Sequence, residues 1–593
     1  MKKVKRIISA ILAFILVISM VACSAAQKSE DKADAEDNKE HSYDNNSGNN
    51  INNNSGNAGN NSGNNSGNNS NADKDDSATK EDAPSVNDGG QNTGDSSNMY
   101  GDCELPGSIG DPNFDASLAP GYEDEDVPGE SIEGGNSQGI RENPFIKTEE
   151  MDTYTMSADV DTASYTFLRK LINQGYSLDE LQELAKSNVI RTEELVNYFD
   201  YEFNISEDDR VLFDASCSIN KAPWNDDTYL MMLGFKAKDI VDYTANNLVF
   251  LIDTSGSMMS DDKLPLLKKA FSYLVDQLDG DDTISIVTYA GTETVVLEGA
   301  KGNKKQTILD AINGLQAGGS TNGEAGIVKA YEIAEFYFKP SGNNRIILAS
   351  DGDLNVGISD PEQLKELVAK KRDSGIWLSV LGFGTGNFRD DTMSAIAQNG
   401  NGVYHYIDCE TEAEKIFTEN LLATIHTVAK DVKFQFEFFE DYISEYRLIG
   451  YENRVLDNED FDDDTKDAGD VGAGHTIIIC FELKLTEKAF DYLVYDGYSS
   501  WAGLAIRYKH RYSNLSVVDD IYALGGMLDY EPRENFIFVS TVIEFSMLLR
   551  NSEYAKNEIT LESLIERLEG LELDARKAEF KSLLEQLAAR EEK

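Results

Sequence analysis

The sequence predicts an α/β fold, with a doubly wound and mainly parallel sheet inserted in a β-rich flanking region that has helical segments at both ends. Between 247 and 430, short apolar strands alternate with amphipathic helices, which is the pattern of a parallel sheet covered on both faces. Strand-like runs precede and follow that stretch, so the α/β part is expected to be an insertion. Helical periodicity returns after about residue 535.

The central region opens on the continuous apolar run 248–252, which suits a strand buried on both faces. The other strands predicted there are 283–289, 294–297, 345–349, 377–382 and 403–407. The predicted helices are 264–278, 307–315, 324–338, 361–372, 391–397 and 412 to about 428. Ligands of open parallel sheets bind at the carboxyl ends of the strands, so a site is expected at that edge.

The flanking region is predicted to contain both helices and strands. Before the central region we expect helices at 161–173 and 178–186, a third from Thr192, and strands at 211–218 and 229–237. After it we expect strands at 432–439, 445–448, 475–485 and 504–508, and helices at 535–549 and 561–590. The last stretch fits a helical hairpin packed on its own domain, or alternatively a coiled-coil-like hook.

Length and composition bound the function. The chain has 593 residues, too many for one core, and a net charge of −53 from 106 acidic and 53 basic residues. Such a balance argues against nucleic acid as a partner, because phosphate contacts need clustered Lys and Arg. It fits a secreted or surface protein. Cys217 and Cys480 lie in strand-like runs and are expected in the core, and the spacing argues for no disulfide.

The first 22 residues form a signal peptide in this interpretation. Four basic residues within 1–6 precede the apolar run 7–22, which ends directly before Cys23. The run 19–23 resembles the lipobox of bacterial lipoproteins. That resemblance implies cleavage before Cys23, acylation of this residue, and a lipid anchor in the cell membrane on the extracellular side. An uncleaved membrane anchor is the alternative.

Residues 23–140 are predicted to be a disordered tether. Their Asn-, Ser- and Gly-rich sequence cannot bury enough apolar area to offset the entropy of ordering. The remaining boundaries are a helical N-terminal region at 141–205, a first β-rich half at 206–246, the α/β domain at 247–430 and a second β-rich half with C-terminal helices at 431–593.

Oxygen-bearing side chains follow three elements of the predicted sheet. Asp253, Ser255 and Ser257 come directly after the first buried strand, Thr321 lies in a glycine-rich loop before a helix, and Asp351 follows the fourth strand. All three segments should end at the same edge of the sheet, so these side chains are expected to converge.

This pattern resembles the metal-ion-dependent adhesion site of von Willebrand factor A (VWA) domains. The resemblance implies that Ser255, Ser257 and Thr321 ligate Mg²⁺ directly, while Asp253 and Asp351 act through water. Mn²⁺ would fit the same oxygen ligands. Since the direct ligands would be neutral, the metal would accept an Asp or Glu of a partner protein. The alternative interpretation is that Asp253 caps a turn and Asp351 caps the following helix, without any metal.

The resemblance extends over about 143–590, to a bacterial subfamily of VWA lipoproteins with an N-terminal associated region and a C-terminal domain of uncharacterised function. The motifs that carry it are 159–165, 191–199, 446–454, 467–469 and 472–475. It implies an architecture and a metal-binding module, without a ligand.

Three functions are weighed. The favoured one is a surface lipoprotein that binds a partner protein through the metal. A second is an envelope assembly or scaffold protein whose own flanking domain closes the metal site. A metal-assisted hydrolase is the least favoured, because no GxSxG motif surrounds Ser255 and no base is evident. The chain is not expected to be an enzyme. The acidic run 457–470 fits a solvated loop better than a Ca²⁺ site, and the glycine-rich 382–387 should shape the rim of the metal face.

Overall fold

The computed structural model describes residues 141–186, 190–201, 212–239, 244–319, 323–352, 361–384, 390–420, 425–490, 500–511, 513–524 and 532–591. These residues belong to one compact unit, Gly94–Lys593. The predicted signal peptide 1–22, the tether 23–140 with Cys23, and Thr321 lie outside the described residues. Within the described ranges, every helix is too short or too polar to cross a lipid bilayer.

The elements are labelled in chain order. The strands are β1 (Ile146–Lys147), β2 (Thr153–Ser157), β3 (Phe213–Lys221), β4 (Tyr229–Ala237), β5 (Asn246–Asp253), β6 (Thr283–Tyr289), β7 (Glu293–Lys301), β8 (Asn343–Ser350), β9 (Trp377–Phe383), β10 (Tyr404–Ile407), β11 (Thr427–Phe438), β12 (Ile443–Ile449), β13 (Val455–Leu456), β14 (Gly469–Gly472), β15 (Thr476–Leu485), β16 (Ala502–His510) and β17 (Ser516–Leu524). The helices are α1 (Ala163–Asn173), α2 (Leu178–Ala185), α3 (Thr192–Asn197), α4 (Leu264–Gln277), α5 (Lys305–Asn313), α6 (Gly323–Phe336), α7 (Pro361–Arg372), α8 (Asp390–Asn399), α9 (Glu410–Glu414), α10 (Glu534–Arg550), α11 (Leu561–Leu568) and α12 (Ala575–Glu591).

The central sheet has the strand order β10-β9-β8-β5-β6-β7. All its pairings are parallel except that of β7, which runs antiparallel to β6 at the edge. Every residue of β5 is buried. Val249 and Leu251 pack in the core that contains α6, α7 and α8, whereas Phe250 packs in the core that contains α4 and α5. The apolar run is therefore buried on both faces of the sheet, and the predicted α/β fold class is confirmed.

Two antiparallel sheets make up the β-rich flanking region. One has the order β1-β12-β15-β4-β3, and the other has the order β13-β2-β11-β16-β17 with β14 paired to β11. The two sheets share one core, in which Phe235, Phe434, Phe436 and Phe481 are buried. Each sheet combines strands that precede the central sheet with strands that follow it. The α/β part is therefore inserted in the flanking region.

The terminal helices pack together. Phe199, from the segment after α3, contacts Phe538 of α10 and Phe580 of α12 edge-to-face, with ring centroids 4.8 and 5.7 Å apart. The predicted helix 561–590 is broken between Leu568 and Ala575, and α11 packs on α12 in the shared core. Of the two alternatives for this end of the chain, the structure shows the helical hairpin.

Three expectations were wrong. The helix predicted at 412–428 extends too far: its described part contains α9 and a π-helical turn at Lys415–Glu419, and the β-branched pair Thr427 and Val428 opens the strand β11. The N-terminal region is not purely helical, since β1 and β2 join the flanking sheets. Cys480 is buried as expected, but Cys217 is exposed because β3 is an edge strand.

Candidate metal centre

Asp253 ends the strand β5, at the carboxyl edge of the central sheet. Its carboxylate is fully buried, and it accepts hydrogen bonds from the backbone N–H of Ser255 at 2.8 Å and from the hydroxyl of Ser350 at 3.3 Å. Ser350 ends β8, the strand next to β5. Two neighbouring strands thus fix the carboxylate behind the loop that follows β5.

The hydroxyl oxygens of Ser255 and Ser257 lie 2.9 Å apart. Two adjacent ligands of an octahedral Mg²⁺ ion, with bonds of about 2.0–2.1 Å, are separated by about 2.9 Å. The spacing therefore fits the positions of two neighbouring ligands. Ser255 is buried, whereas Ser257 is exposed, so this pair lies where the buried strand end meets solvent.

The glycine-rich loop before α6 is tied to the same place. The N–H of Gly256 donates to the carbonyl of Gly319 at 3.1 Å, and the N–H of Gly318 donates to the carbonyl of Thr254 at 2.8 Å. Gly319 has a φ of +94°, a left-handed backbone that favours glycine. Thr321 lies two residues beyond this bridge and outside the described residues, so its predicted role stays a prediction.

Asp351 directly follows β8 and is buried, as the sequence predicted for a residue of this edge. Its Oδ2 forms an ion pair with the ammonium of Lys263 at 2.9 Å. The same ammonium donates to the carbonyl of Ser257 at 3.1 Å. Lys263 was not among the site residues predicted from the sequence. A basic residue six positions after Ser257, just before α4, was the available signal.

We call Asp253, Ser255, Ser257, Lys263 and Asp351 the metal edge. Burial, opposed by hydrogen bonds from Ser255, raises the pKa of Asp253 to about 6, and the nearby Asp351 adds to the rise. Because a buried carboxylate is costly to ionise, a cation beside it would stabilise its ionised form. The hydroxyl and carboxylate oxygens of the metal edge are hard ligands and fit Mg²⁺ or Mn²⁺.

The rim of the metal edge includes Gly384, which follows β9. Gly384 has a φ of +75°, and a side chain at this position would collide with the stem of Lys263. Its carbonyl accepts a hydrogen bond from the hydroxyl of Tyr406 at 2.6 Å. The described part of 382–387 therefore shapes this face, as the sequence predicted.

A second acidic cluster, which we call the acidic joint, consists of Asp159, Asp161, Glu194 and Arg454. Its carboxylates are buried, with one oxygen of each within 4.8 Å of the others. The Nε of Arg454 lies 2.8 Å from Asp159. In the sequence these residues lie within the motifs of the family resemblance, and no role was predicted for them.

Donors within the protein meet the carboxylates of the acidic joint. Asp161 accepts from the hydroxyl of Ser394 at 2.9 Å and from the N–H of Tyr404 at 3.0 Å, both in the α/β part. Glu194 accepts from the N–H and the hydroxyl of Ser164, each at 2.8 Å. The joint therefore links the N-terminal region to the central sheet.

The acidic run 457–470 packs on basic residues of the strand β16 and the helix α7. Arg507 of β16 pairs with Asp464 at 2.8 Å, and Arg372 of α7 pairs with Asp467 at 2.6 Å. Both carboxylates are about half exposed. The part 462–467 is therefore a solvated segment held by ion pairs, as predicted, whereas the end of the run enters the strand β14.

Comparison with known proteins gives three family matches along the chain. Residues 133–232 match the family described as von Willebrand factor, residues 247–419 match the von Willebrand factor type A domain, and residues 423–589 match the C-terminal region of the uncharacterised protein YfbK. These matches bear out the VWA domain and the C-terminal domain of the resemblance drawn from the sequence motifs, and its lipoprotein part stays a prediction.

Two relatives and one solved structure are similar to the chain. It is 39% identical over 469 residues to the uncharacterised protein YfbK of Escherichia coli (strain K12), covering 76% of this chain and 80% of that protein. It is 29% identical over 173 residues to the uncharacterised protein sll0103 of Synechocystis, covering 29% and 40%. The ArnB paralog VWA2 from Sulfolobus acidocaldarius matches at 17% identity and a TM-score of 0.31, over 64% of this chain and 98% of that one.

Proposed function

Because the chain belongs to the YfbK-like family of proteins with a VWA domain, we propose that it is a cell-surface lipoprotein that binds a partner protein through a divalent metal ion. Asp253, Ser255, Ser257, Thr321 and Asp351 would hold Mg²⁺ or Mn²⁺, and an Asp or Glu of the partner would complete the coordination. Proteins with a VWA domain typically mediate protein–protein interactions, some of them through such a site.

The observation that carries the proposal is the pair of hydroxyls of Ser255 and Ser257, 2.9 Å apart in front of the buried carboxylate of Asp253. Neutral hydroxyl ligands would leave most of the charge of the metal for an anionic ligand from outside. Met259, in the turn that follows, exposes 68% of its surface and offers a protein partner an apolar contact beside the metal.

The geometry favours an external partner over closure by the flanking region. In the described part of the chain, the flanking region contacts the loop of the metal edge through Lys170 of α1, which pairs with Asp262 at 2.8 Å. A cation cannot supply the missing acidic ligand. The exposed hydroxyl of Ser257 leaves room for a carboxylate from another molecule.

The lipid anchor is proposed from the basic and apolar residues that precede Cys23. The test is to express the full chain in a bacterium and to follow its distribution between membrane and soluble fractions. Cys23→Ser should move the protein out of the detergent-extractable membrane fraction, while Cys217→Ser should not. Retention of Cys23→Ser in the membrane would contradict a lipid anchor on this residue.

The metal site is tested by calorimetric titration of the chelator-treated protein with Mn²⁺ and Mg²⁺. Asp253→Ala should abolish metal binding and leave the circular dichroism spectrum unchanged, whereas Asp276→Ala, an exposed residue of α4, should bind as the wild type does. Capture of envelope proteins on the immobilised chain should then require the metal and Asp253. Equal capture in EDTA and in Mg²⁺ would sink the proposal.

A further inference from the structure

Lys263 places a positive charge inside the metal edge. Its side chain is only 11% exposed and its ion-pair partner Asp351 is fully buried. The ammonium also donates to the carbonyl of Ser257, the residue whose hydroxyl would be a metal ligand. A lysine in this position is held within the site rather than extended into solvent.

Neighbouring residues restrict the movement of Lys263. Gly384, with its left-handed backbone, packs directly against the lysine stem. The preceding residue, Asp262, is held by Lys170 of α1 at 2.8 Å and by the hydroxyl of Ser260 at 2.6 Å. These contacts hold the segment before α4 in place and so direct the lysine stem toward Asp351.

The charges of the metal edge would not balance once a divalent ion is bound. Asp253 and Asp351 carry two negative charges when ionised, and Lys263 cancels one of them. A divalent ion beside these three side chains would leave one net positive charge at a largely buried position. Without the lysine, the same ion would be neutralised by the two carboxylates alone. A buried uncompensated charge is costly. Binding of a further anion would therefore be favoured when Lys263 is present and not when it is absent.

We propose that Lys263 makes the two binding steps interdependent, so that metal alone binds weakly and metal together with an external carboxylate binds tightly. This inference rests on the proposed function and names the residue that would give the site its requirement for an acidic ligand. Linkage is reciprocal, so the carboxylate must tighten the metal by the same factor by which the metal tightens the carboxylate. Coupling of this kind is typically about 5- to 150-fold.

The test measures the Mn²⁺ dissociation constant of the full chain by calorimetry, with and without saturating acetate as the carboxylate probe. In the wild type, acetate should tighten Mn²⁺ binding about tenfold. In Lys263→Met, Mn²⁺ alone should bind about tenfold more tightly than to the wild type, and acetate should add little. Lys269→Met, which removes an exposed lysine of α4 paired with Glu410, should behave as the wild type does.

Two further outcomes separate this inference from the proposed function. If Mn²⁺ binding depends on Asp253 but Lys263→Met binds no more tightly than the wild type, or shows the same effect of acetate, the role of Lys263 is wrong and the metal site stands. If the wild type binds no Mn²⁺ in either condition, both fail. Lys263→Gln, which can still donate a hydrogen bond to Asp351 without the charge, should reproduce Lys263→Met and replaces it if the methionine variant does not fold.

Discussion

The metal edge and the acidic joint are both built from buried carboxylates beside basic side chains, yet their oxygens have different contacts. In the joint, Asp161 and Glu194 accept from Ser394, Tyr404 and Ser164, and Arg454 neutralises Asp159. In the metal edge, the hydroxyls of Ser255 and Ser257 contact each other beside solvent. The carboxylates of both clusters accept from donors of the chain, but the edge also has a pair of hydroxyls that reaches solvent at Ser257.

This difference teaches that a cluster of acids is not by itself a site for a cation. What decides is whether oxygens remain available at a place that a ligand can reach. The joint has three carboxylates with oxygens within 4.8 Å of one another, but these carboxylates form contacts that link two parts of the chain. The edge has fewer acids and a pair of neutral oxygens at a spacing that suits a metal.

The largest expected effect comes from breaking the joint. Arg454→Met leaves the carboxylate of Asp159 buried without its cation, and loss of one partner of a buried ion pair costs about 3–5 kcal/mol. The free energy of unfolding, measured by urea denaturation, should fall by this amount. Arg507→Met, which removes an arginine paired with exposed carboxylates, should cost about 1 kcal/mol or less.

Added Mg²⁺ sharpens that comparison. The stability lost in Arg454→Met should not return with Mg²⁺, because the joint is closed. Lys263→Met should also lose stability in EDTA, since Asp351 is buried, but saturating Mg²⁺ should restore it by mass action. Recovery of Arg454→Met by Mg²⁺ would show instead that the joint binds metal.

A second expected effect is a pH dependence that arises in the joint. Burial, together with the neighbouring Asp159 and Glu194, raises the pKa of Asp161 to about 8. The folded protein therefore keeps a proton that the unfolded chain releases above the ordinary range of aspartate, about 3.9. The stabilisation is complete below that range and is lost as the pH rises toward 8, at up to about 1.4 kcal/mol per pH unit.

Asp161→Asn resembles the protonated aspartate and should remove this part of the slope. The measurement is the urea unfolding free energy of both proteins at pH 5, 6, 7 and 8. The wild type should lose stability relative to Asp161→Asn at each step. Parallel curves for the two proteins would mean that Asp161 does not hold the proton.

Much of the fold could be predicted because its signals are local. The bounds of β4, β6 and α7 match the predicted ones, since apolar periodicity and turn residues set them. The short strands β1, β13 and β14 were not predicted, because two to four residues carry no periodicity and gain their bonds only from distant partners. The start of the strand β11 at Thr427 was wrongly predicted as helix, because its pairing partners are also distant in the chain.

The site divides in a similar way. Asp253, Ser255, Ser257 and Asp351 could be placed because each follows a strand of a parallel sheet, and the structure brings these four together. Lys263 could not be placed, since its contact with Asp351 spans 88 residues and depends on the loop before α4. Pairings across such distances follow from the folded geometry, and the local signal was limited to a basic residue six positions after Ser257.

The smallest expected effect tests whether Asp253 must ionise for the edge to bind metal. Burial raises the pKa of its carboxyl to about 6, so at pH 5 a metal has to displace a proton that is mostly absent at pH 7. For one such proton, Mn²⁺ affinity should fall about tenfold from pH 7 to pH 5, or about 1.4 kcal/mol. Asp253→Asn should bind Mn²⁺ weakly and without this pH dependence. A wild-type affinity that is flat across this range would mean that Asp253 is already ionised at pH 5, and that the Ser255 N–H and hydroxyl outweigh the burial of the carboxylate.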